Sequence, residues 1–520
     1  MEKASEMSSN NSRIAKNAIL LYVRMFITIV IGLFTSRIVL QNLGVNDFGI
    51  FNLVGGIVVL MNMFSSSISS ATSRFLSFCL GKNNADKLST TFSTAFFIHL
   101  FLSLIVLFIG ETIGLWFVNT HLVIDPGRMI AANFAYQAAL ISTVLSITQI
   151  PYYACIIAHE KMGVFAFISI LYEVLKLIIA ICLLFNLHDK LIFYSVLYAS
   201  VSILIMTIYR LYCIRNFNET HINRVFDKRL AIKMLSFSGW NLFAVVGDTS
   251  CKQGVNIILN KFFGTVINAA AGIAIQVQSV LYGFIGNITT AFTPQIIKEY
   301  SKGNYVRVNA LVFTGTKFTS ILTLIITIPV ITNLTFLMRL WLGQVPMYTI
   351  TLCKILLINN VILSLHPLVI YAINASGKIK FRCIWAGSIH LINLVLAYFI
   401  VHCFRNVVEE AYWLFPVNSL VILLFVIFNL KHLMPCFLHW RFIFNILLKV
   451  SLIGLFSFLV CNYISLQLNS DWIALITTTL FSFVLIGVLS YFFMLNQNEK
   501  LFIVEKASKF GCKTIRHFLT

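Results

Sequence analysis

Apolar stretches long enough to cross a lipid bilayer recur along the whole 520-residue chain. An α-helix rises 1.5 Å per residue, so about 18 to 20 apolar residues cross a hydrocarbon layer of about 30 Å. Membrane β-strands are shorter and alternate in polarity, which excludes a β-barrel. The sequence therefore predicts an all-α integral membrane protein with about fourteen spans, at 17–40, 48–76, 92–118, 129–157, 163–185, 190–213, 236–262, 267–297, 311–336, 347–374, 380–403, 411–430, 443–466 and 471–495.

The composition leaves no room for a soluble catalytic domain. Apolar residues make up 59% of the chain and charged residues 11%, against roughly 45–50% and about 25% in ordinary soluble domains. The longest loop outside the spans, between Arg210 and Lys233, has fewer than about 30 residues, which is too short to fold by itself. We therefore predict that the protein is not an enzyme, with a membrane-embedded polysaccharide polymerase as the less favoured alternative.

The net charge of +20 is interpreted as a signal of membrane topology. Most Lys and Arg residues lie in the loops and tails of one side, which places both termini in the cytoplasm by the positive-inside rule. This distribution predicts no nucleic-acid partner. The eleven cysteines are scattered without a C-x-x-C pair, so we predict neither a disulfide framework nor a metal site.

A shift of about 220 residues aligns the chain with itself, pairing Gly44 with Gly264 and Asn84 with Asn304. Six spans per copy is an even number, so the two copies would have the same orientation in the membrane. The predicted organisation is two six-helix lobes in parallel repeat plus two extra C-terminal helices. Its parts are a cytoplasmic N-terminal tail at 1–16, an N-lobe at 17–213, a cytoplasmic linker at 214–235, a C-lobe at 236–430, the added helices at 443–495 and a basic cytoplasmic C-terminal tail at 496–520.

Polar stripes interrupt the apolar surface of spans 1, 2, 7 and 8. These spans are equivalent in the repeat, so their stripes predict a polar cleft between the lobes. Small and amide side chains are also typical of close helix packing, which stays an alternative for each stripe. The amides that we select as candidate substrate contacts are Asn62, Asn241, Asn256, Gln276 and Asn287.

Ionisable residues inside the spans are stronger candidates, because a charge at mid-bilayer costs roughly 2.5–3.5 kcal/mol on insertion scales. Arg24 lies about 10 Å into span 1 without an acid at helical spacing, which makes it the first candidate. Asp248 and Lys252 are spaced i, i+4, and Glu173 and Lys176 are spaced i, i+3. Each pair could be a structural ion pair or could serve ion coupling.

Two segments carry a resemblance to a known family. The segment at 36–58 contains an L-G-x-x-x-[YF]-G turn, whose residues are Leu43, Gly44, Phe48 and Gly49. The segment at 69–84 contains the basic inner loop that follows the second span. The chain resembles the bacterial polysaccharide flippases, the O-antigen and capsule repeat-unit exporters of the multidrug/oligosaccharidyl-lipid/polysaccharide superfamily. The general likeness covers about residues 13 to 495.

The resemblance implies a lipid-linked oligosaccharide flippase of the bacterial cytoplasmic (inner) membrane, serving lipopolysaccharide O-antigen, capsule or exopolysaccharide export. Its cargo would be an undecaprenyl-diphosphate-linked glycan, moved from the cytoplasmic to the outer leaflet by alternating access. Arg24, Lys252 and Lys176 would bind the diphosphate, and the five amides would bind the sugars. Membrane lipids, and a polysaccharide polymerase as a further candidate, would be its partners.

No cofactor is expected, and the driving force stays open. The membrane potential supplies about 2.3 kcal/mol per charge per 100 mV, which favours exit of an anionic headgroup. Coupling to H⁺ or Na⁺ through Asp248 or Glu173 is a second possibility. The alternative function is a cation-coupled multidrug antiporter of the MATE type, which typically has buried acids in its first lobe. In this chain Glu173 is the acid that lies deep in that lobe.

Overall fold

The computed structural model describes residues 2–120, 124–185, 189–222, 225–263, 265–343, 345–404, 408–434, 436–497 and 499–501. Regular structure in these ranges is helical, which confirms the predicted all-α class. The helices are α1 (Glu2–Gly81), α2 (Ala85–Ile109), α3 (Leu115–Thr120), α4 (Met129–Ala158), α5 (Met162–Cys182), α6 (Lys190–Asn216), α7 (Lys228–Phe263), α8 (Thr265–Ser301), α9 (Tyr305–Thr332), α10 (Leu334–Leu342), α11 (Thr349–Leu363), α12 (Pro367–Ser376), α13 (Lys380–Cys403), α14 (Val408–Leu433), α15 (His439–Phe442), α16 (Leu448–Gln467) and α17 (Asp471–Phe493).

Twelve helices among the described residues are long and apolar enough to cross a membrane. A further candidate is the pair α11 and α12, which bends by 43° at a short break and would cross as one broken span. These thirteen correspond one to one with predicted spans. The remaining predicted span, 48–76, falls in the second part of α1, where the side chains of residues 52–66 lie outside the description.

A single glycine divides α1 between the first two predicted spans. Gly44 has φ 77° and ψ 169°, while the residues around it are helical. Glycine adopts positive φ without the clash that a Cβ would cause, so it is the favoured residue at this kink. The break falls within the L-G-x-x-x-[YF]-G segment, at the place where the sequence predicts a turn.

The chain forms two compact units. Unit 1 contains Met1–Gly247, Thr290–Asn304 and Asn374–Gly387, and unit 2 contains Asp248–Thr289, Tyr305–Ile373 and Ser388–Thr520. The divisions fall inside α7, α8, α12 and α13. Unit 1 therefore combines the chain as far as the first part of α7 with two short pieces from the second half of the sequence, the end of α8 and the segment from α12 to α13. The predicted lobes, 17–213 and 236–430, are defined by counting membrane spans, so they divide the chain differently from the two compact units.

In unit 1, α1 packs on α4 and α5, and α4 packs on α6. One core cluster of this unit lies between α2 and α4 and includes Val106, Tyr136, Leu140 and Ile147. A close helix crossing joins α7 and α13 in the same unit. A Cβ added at Gly247 would lie 2.9 Å from the Cα of Gly387, so the crossing requires small residues.

In unit 2, α16 and α17 pack against α9, and α11 packs on α14. Asn333 Nδ2 donates a hydrogen bond to Thr478 Oγ1 at 2.8 Å, which ties the residue after α9 to α17. Beyond α17, Glu499 accepts hydrogen bonds from Thr314 Oγ1 at 2.6 Å and from Lys317 Nζ at 2.9 Å. The two C-terminal helices are therefore an integral part of unit 2.

Candidate functional site

Arg24 lies inside unit 1, against the aromatic side chains of neighbouring helices. Its guanidinium carbon is 4.7 Å from the ring centroid of Phe165 on α5. Tyr153 of α4 and Tyr209 of α6 are close enough to interact electrostatically with it. A guanidinium over a ring face gains cation–π energy and keeps its formal charge. The predicted depth of Arg24 thus coincides with an aromatic setting that accommodates a cation.

Arg210 of α6 forms a second site of this kind, which sequence reasoning missed. Its guanidinium carbon is 5.6 Å from the ring centroid of Tyr152 on α4, and its Nη2 donates to Thr148 Oγ1 at 3.0 Å. In the sequence, Arg210 counts only as the first charge of a basic loop. The adjacent residues Tyr152 and Tyr153 therefore place two arginines near the same stretch of α4.

The predicted pair on α5 is present. Lys176 Nζ lies 3.1 Å from Glu173 Oε2 and 3.2 Å from Oε1, and 5.0 Å from the ring centroid of Tyr172. The side chains of Lys176 and Glu173 are 23% and 20% exposed. Both charges belong to one helix, so the pair neutralises itself inside unit 1. A role in ion coupling or phosphate binding stays a prediction.

The predicted pair on α7 lies in unit 2 and includes a third residue. Lys252 Nζ donates to Asp248 Oδ2 at 2.7 Å, with side-chain exposures of 45% and 39%. His390 Nε2 of α13 is 3.9 Å from Asp248 Oδ1, and Asn418 Nδ2 is 3.0 Å from His390 Nδ1. Lys252 is thus held by a carboxylate on its own helix.

The five candidate amides have different environments. Asn241 belongs to unit 1 and accepts a hydrogen bond from Arg382 Nη2 at 3.4 Å. Asn256 belongs to unit 2 and accepts one from Tyr412 Oη at 3.4 Å. Asn287 is buried, Gln276 is exposed, and the side chain of Asn62 lies outside the description. These contacts suit helix packing, and the sugar-binding role of the amides stays a prediction.

A buried carboxylate joins the two halves of the sequence within unit 1. Glu160, in the turn between α4 and α5, has a side chain that is 1% exposed. It accepts hydrogen bonds from Lys298 Nζ at 2.7 Å and Gln295 Nε2 at 2.8 Å, both at the end of α8. Asn17 Nδ2 of α1 donates to the backbone oxygen of Glu160 at 3.5 Å. We call these four residues the Glu160 cluster.

Arg74 makes a second connection of this kind. Its Nε donates to the backbone oxygen of Asn374 at 2.9 Å, and its Nη2 donates to that of Ala375 at 3.1 Å. Its guanidinium carbon lies 4.5 Å from the ring centroid of Phe75. Arg74 is on α1 and its acceptors are on α12, so unit 1 is held together by bonds between residues about 300 positions apart.

Three side chains of different chemistry meet where α4 ends. Cys155 Sγ is 3.6 Å from Glu219 Oε1, and His159 Nε2 is 2.5 Å from the same oxygen. Burial raises the pKa of Glu219, but the hydrogen bond and charge of His159 outweigh it, so the pKa lies below the usual glutamate value. Sequence reasoning missed this set because it looked for paired cysteines.

Comparison with known proteins supports the fold. A scan against protein-family models finds no match, and no curated protein matches the chain. An outward-facing multidrug resistance MATE family transporter of the MOP superfamily superposes with a TM-score of 0.73 at 11% identity, over 82% of this chain and 96% of that one. A MATE protein in its bent conformation gives a TM-score of 0.72 at 11% identity, over 82% of this chain and 96% of that one.

A third structure is a MOP superfamily transporter from Pyrococcus furiosus, with a TM-score of 0.70 at 12% identity, over 82% of this chain and 96% of that one. Its binding pocket is described as having reverse polarity, which suggests a different function for that protein. The chain therefore has the fold of MATE-type transporters of the MOP superfamily. These neighbours support the superfamily fold that the sequence predicts, but they are not described as polysaccharide flippases.

Proposed function

We propose that this protein is an alternating-access membrane transporter whose cargo carries an anionic headgroup. The observation that carries the proposal is the placement of Arg24 and Arg210 against the aromatic side chains of α4 and α5 within the spans of unit 1. Arginine binds phosphate with two parallel, charge-assisted hydrogen bonds, so two arginines in this region suit a diphosphate.

The charge balance of the first lobe supports an anion over a cation. Glu173, the acid deep in its spans, is bonded to Lys176 one turn away. An organic cation would need a carboxylate that is available to it, and this one is already neutralised. The Pyrococcus furiosus neighbour is described as having a pocket of reversed polarity, so the same fold is compatible with different pocket charges.

The specific cargo that we propose is an undecaprenyl-diphosphate-linked oligosaccharide, moved from the cytoplasmic to the outer leaflet of a bacterial cytoplasmic membrane. This proposal rests on the resemblance to polysaccharide flippases. Both termini would be cytoplasmic. The membrane potential would favour outward movement of the diphosphate by about 2.3 kcal/mol per charge per 100 mV.

Alternating access needs contacts that break and re-form on one side of the membrane. We propose that the Glu160 cluster and Arg74 provide them, because they join α1 and the turn after α4 to the ends of α8 and α12. These helix ends lie on the side that the charge distribution predicts to be cytoplasmic. Their opening would admit cargo from the inner leaflet.

The second candidate function is a cation-coupled multidrug antiporter, and it is favoured by the structural neighbours, which are MATE transporters. In that case Asp248, with Lys252 and His390 beside it, would be the acid for coupling. The two candidates differ in cargo charge, which makes them separable by experiment.

Loss of the protein in its own bacterium tests the proposal. We expect lipid-linked repeat units to accumulate in the cytoplasmic leaflet, with unchanged sensitivity to cationic drugs and full recovery when the wild-type gene is restored. Increased drug sensitivity without accumulation of lipid-linked glycan would instead identify the antiporter.

A further inference from the structure

We propose that Cys155, His159 and Glu219 form a binding site for one divalent transition-metal ion, with Zn²⁺ as the best-suited ion. Their ligand atoms all lie within 4.8 Å of one another. The set combines a thiol, an imidazole and a carboxylate, which are the three kinds of side chain that bind zinc in proteins. The site lies at the end of α4 and belongs entirely to unit 1.

The spacing of the ligands fits a tetrahedral ion. Cys155 lies in the last turn of α4, and His159 caps that helix four residues later with its backbone nitrogen bonded to the Cys155 oxygen at 3.0 Å, so their side chains project from the same face. Zinc ligands at about 2.0–2.3 Å from the metal lie about 3.3–3.8 Å apart. The distance from Cys155 Sγ to Glu219 Oε1, 3.6 Å, already agrees with this geometry. The His159 to Glu219 contact, 2.5 Å, must widen by about 1 Å to admit the ion.

The surroundings orient the ligands and leave a path for entry. The imidazole of His159 stacks on the ring of Phe217 with centroids 4.3 Å apart and planes at 16°. Cys155 is 1% exposed, whereas the side chain of His159 is 25% exposed. A metal would therefore enter past His159, and water would complete the fourth position. Cys213 on α6 is outside this set, and its Sγ donates to the Tyr152 backbone oxygen at 3.5 Å.

The site adjoins the contact that we propose as a gate. His159 directly precedes Glu160, whose carboxylate is bonded to Lys298. An ion that fixes His159 would hold the turn that presents Glu160 to α8, and so would favour the bonded state. This second step rests on the proposed function, whereas metal binding itself does not depend on it.

Metal binding is tested on the purified, untagged full-length protein in detergent. Titration with Zn²⁺ against a chromophoric chelator should give one bound ion per chain. Cys155→Ser, His159→Gln and Glu219→Gln should each weaken binding at least about tenfold, because each removes a ligand. Cys403→Ser is the matched control, since Cys403 is exposed and remote in sequence, and it should bind as the wild type does.

A second measurement avoids variants that fail to fold. X-ray absorption of the zinc-loaded wild type should show one sulfur at about 2.3 Å together with nitrogen and oxygen at about 2.0 Å. Absence of stoichiometric binding, a shell without sulfur, or equal affinity in folded Cys155→Ser would overturn the proposal. A positive result with no effect of zinc on transport would retain the metal site and reject only its link to the gate.

Discussion

Two arginines inside the helices of unit 1 lie against aromatic rings, whereas two lysines inside the helices of unit 2, like Lys176 of unit 1, are paired with carboxylates. Arg24 and Arg210 lie over Phe165 and Tyr152. Lys252 and Lys317 are bonded to Asp248 and Glu499. Cations inside the membrane-spanning helices of this chain are thus stabilised in two ways, by aromatic rings and by carboxylates.

The difference matters for function, because a carboxylate cancels the charge of its partner while a ring face does not. A ring stabilises a cation by about 0.5 to 2 kcal/mol and leaves its formal charge in place to attract an anion. Arg24 and Lys252 therefore provide two different settings in which a contact with an anionic headgroup can be tested. Substitutions at cations held by aromatic rings (ring-held) and at cations held by carboxylates (carboxylate-held) should therefore have different effects.

The largest effect is expected for the carboxylate-held Lys317. Its side chain is 3% exposed and that of Glu499 is 10% exposed. Glu499→Gln leaves a buried lysine without its counter-charge, which costs about 3–5 kcal/mol in comparable buried pairs. We expect a marked loss of thermal stability in detergent and of accumulation in the membrane.

Glu410→Gln is the control for this prediction, because Glu410 is exposed at the start of α14. Truncation before α16 should be at least as damaging as Glu499→Gln, since it removes both helices that pack on α9. Normal accumulation of the truncated protein would show that these helices are dispensable and that the Lys317 pair contributes little.

Next in size is the effect of the ring-held Arg24 on transport. Arg24→Ala should reduce glycan export about 10- to 100-fold, because a charge-assisted hydrogen bond is worth about 1.5–3 kcal/mol. Protein abundance should be unchanged. Arg37→Ala, an exposed arginine on the same helix, should export normally. Unchanged export by Arg24→Ala would remove Arg24 from the binding site.

The Glu160 cluster is a carboxylate-held cation of unit 1, and it tests gating. Glu160→Gln weakens the bond to Lys298 and should expose the end of α8. Thr293 is 8% exposed. A cysteine introduced at this position should react with a maleimide several-fold faster in the Glu160→Gln variant than in the protein that retains Glu160. The control is Asp86→Asn, because Asp86 is exposed at the start of α2. Glu219→Gln is unsuitable, because Glu219 contacts His159 in the turn that carries Glu160. Equal labelling rates would argue against the gate.

Sequence reasoning predicts the helices and the pairs that lie within one helix. Apolar length and i, i+3 or i, i+4 spacing are local properties, so the Glu173 pair and the Asp248 pair can be found without a structure. The Arg210–Thr148, Glu160–Lys298 and Lys317–Glu499 contacts join residues 62, 138 and 182 positions apart. Only the packing of helices reveals these partners.

Lys317 shows what local sequence patterns cannot predict. It lies close to the beginning of its predicted span, from where a lysine would be expected to reach the interface. In the structure it is 2% exposed and bonded to a residue beyond the last helix. A local pattern cannot predict this, because the partner comes from the far end of the chain.

A smaller effect is expected at the exposed pair on α7. Lys252→Gln leaves Asp248 without its main partner and should lower export slightly, by less than about threefold. The double variant Asp248→Asn with Lys252→Gln should be milder, because an exposed i, i+4 pair contributes only about 0.3–0.5 kcal/mol. Complete loss of export in the double variant would show instead that the pair couples transport to an ion.

The smallest effect concerns a carboxylate-held arginine at the ends of the helices of unit 1. Arg128 bridges Asp47 and Asp189, and Asp189 also accepts from the backbone nitrogens of Leu191 and Ile192 at the start of α6. Burial raises the pKa of Asp189, but the bonds from Arg128 and from the backbone outweigh it and place the pKa below the usual aspartate value.

A lowered pKa means that the folded state gains stability from the ionised carboxylate above the ordinary value of 3.8. That gain is lost as the pH falls through the still lower folded pKa. Asp189→Asn keeps a helix cap but removes the charge, so we expect a loss of about 0.5 kcal/mol at pH 7 that shrinks toward zero in acid. Denaturant titration of the wild type and of Asp189→Asn, at pH 7 and at an acidic pH, measures the difference between their free energies of unfolding. A difference that does not change with pH would mean that the charge of Asp189, and with it the ion pair with Arg128, contributes nothing to the stability of the folded state.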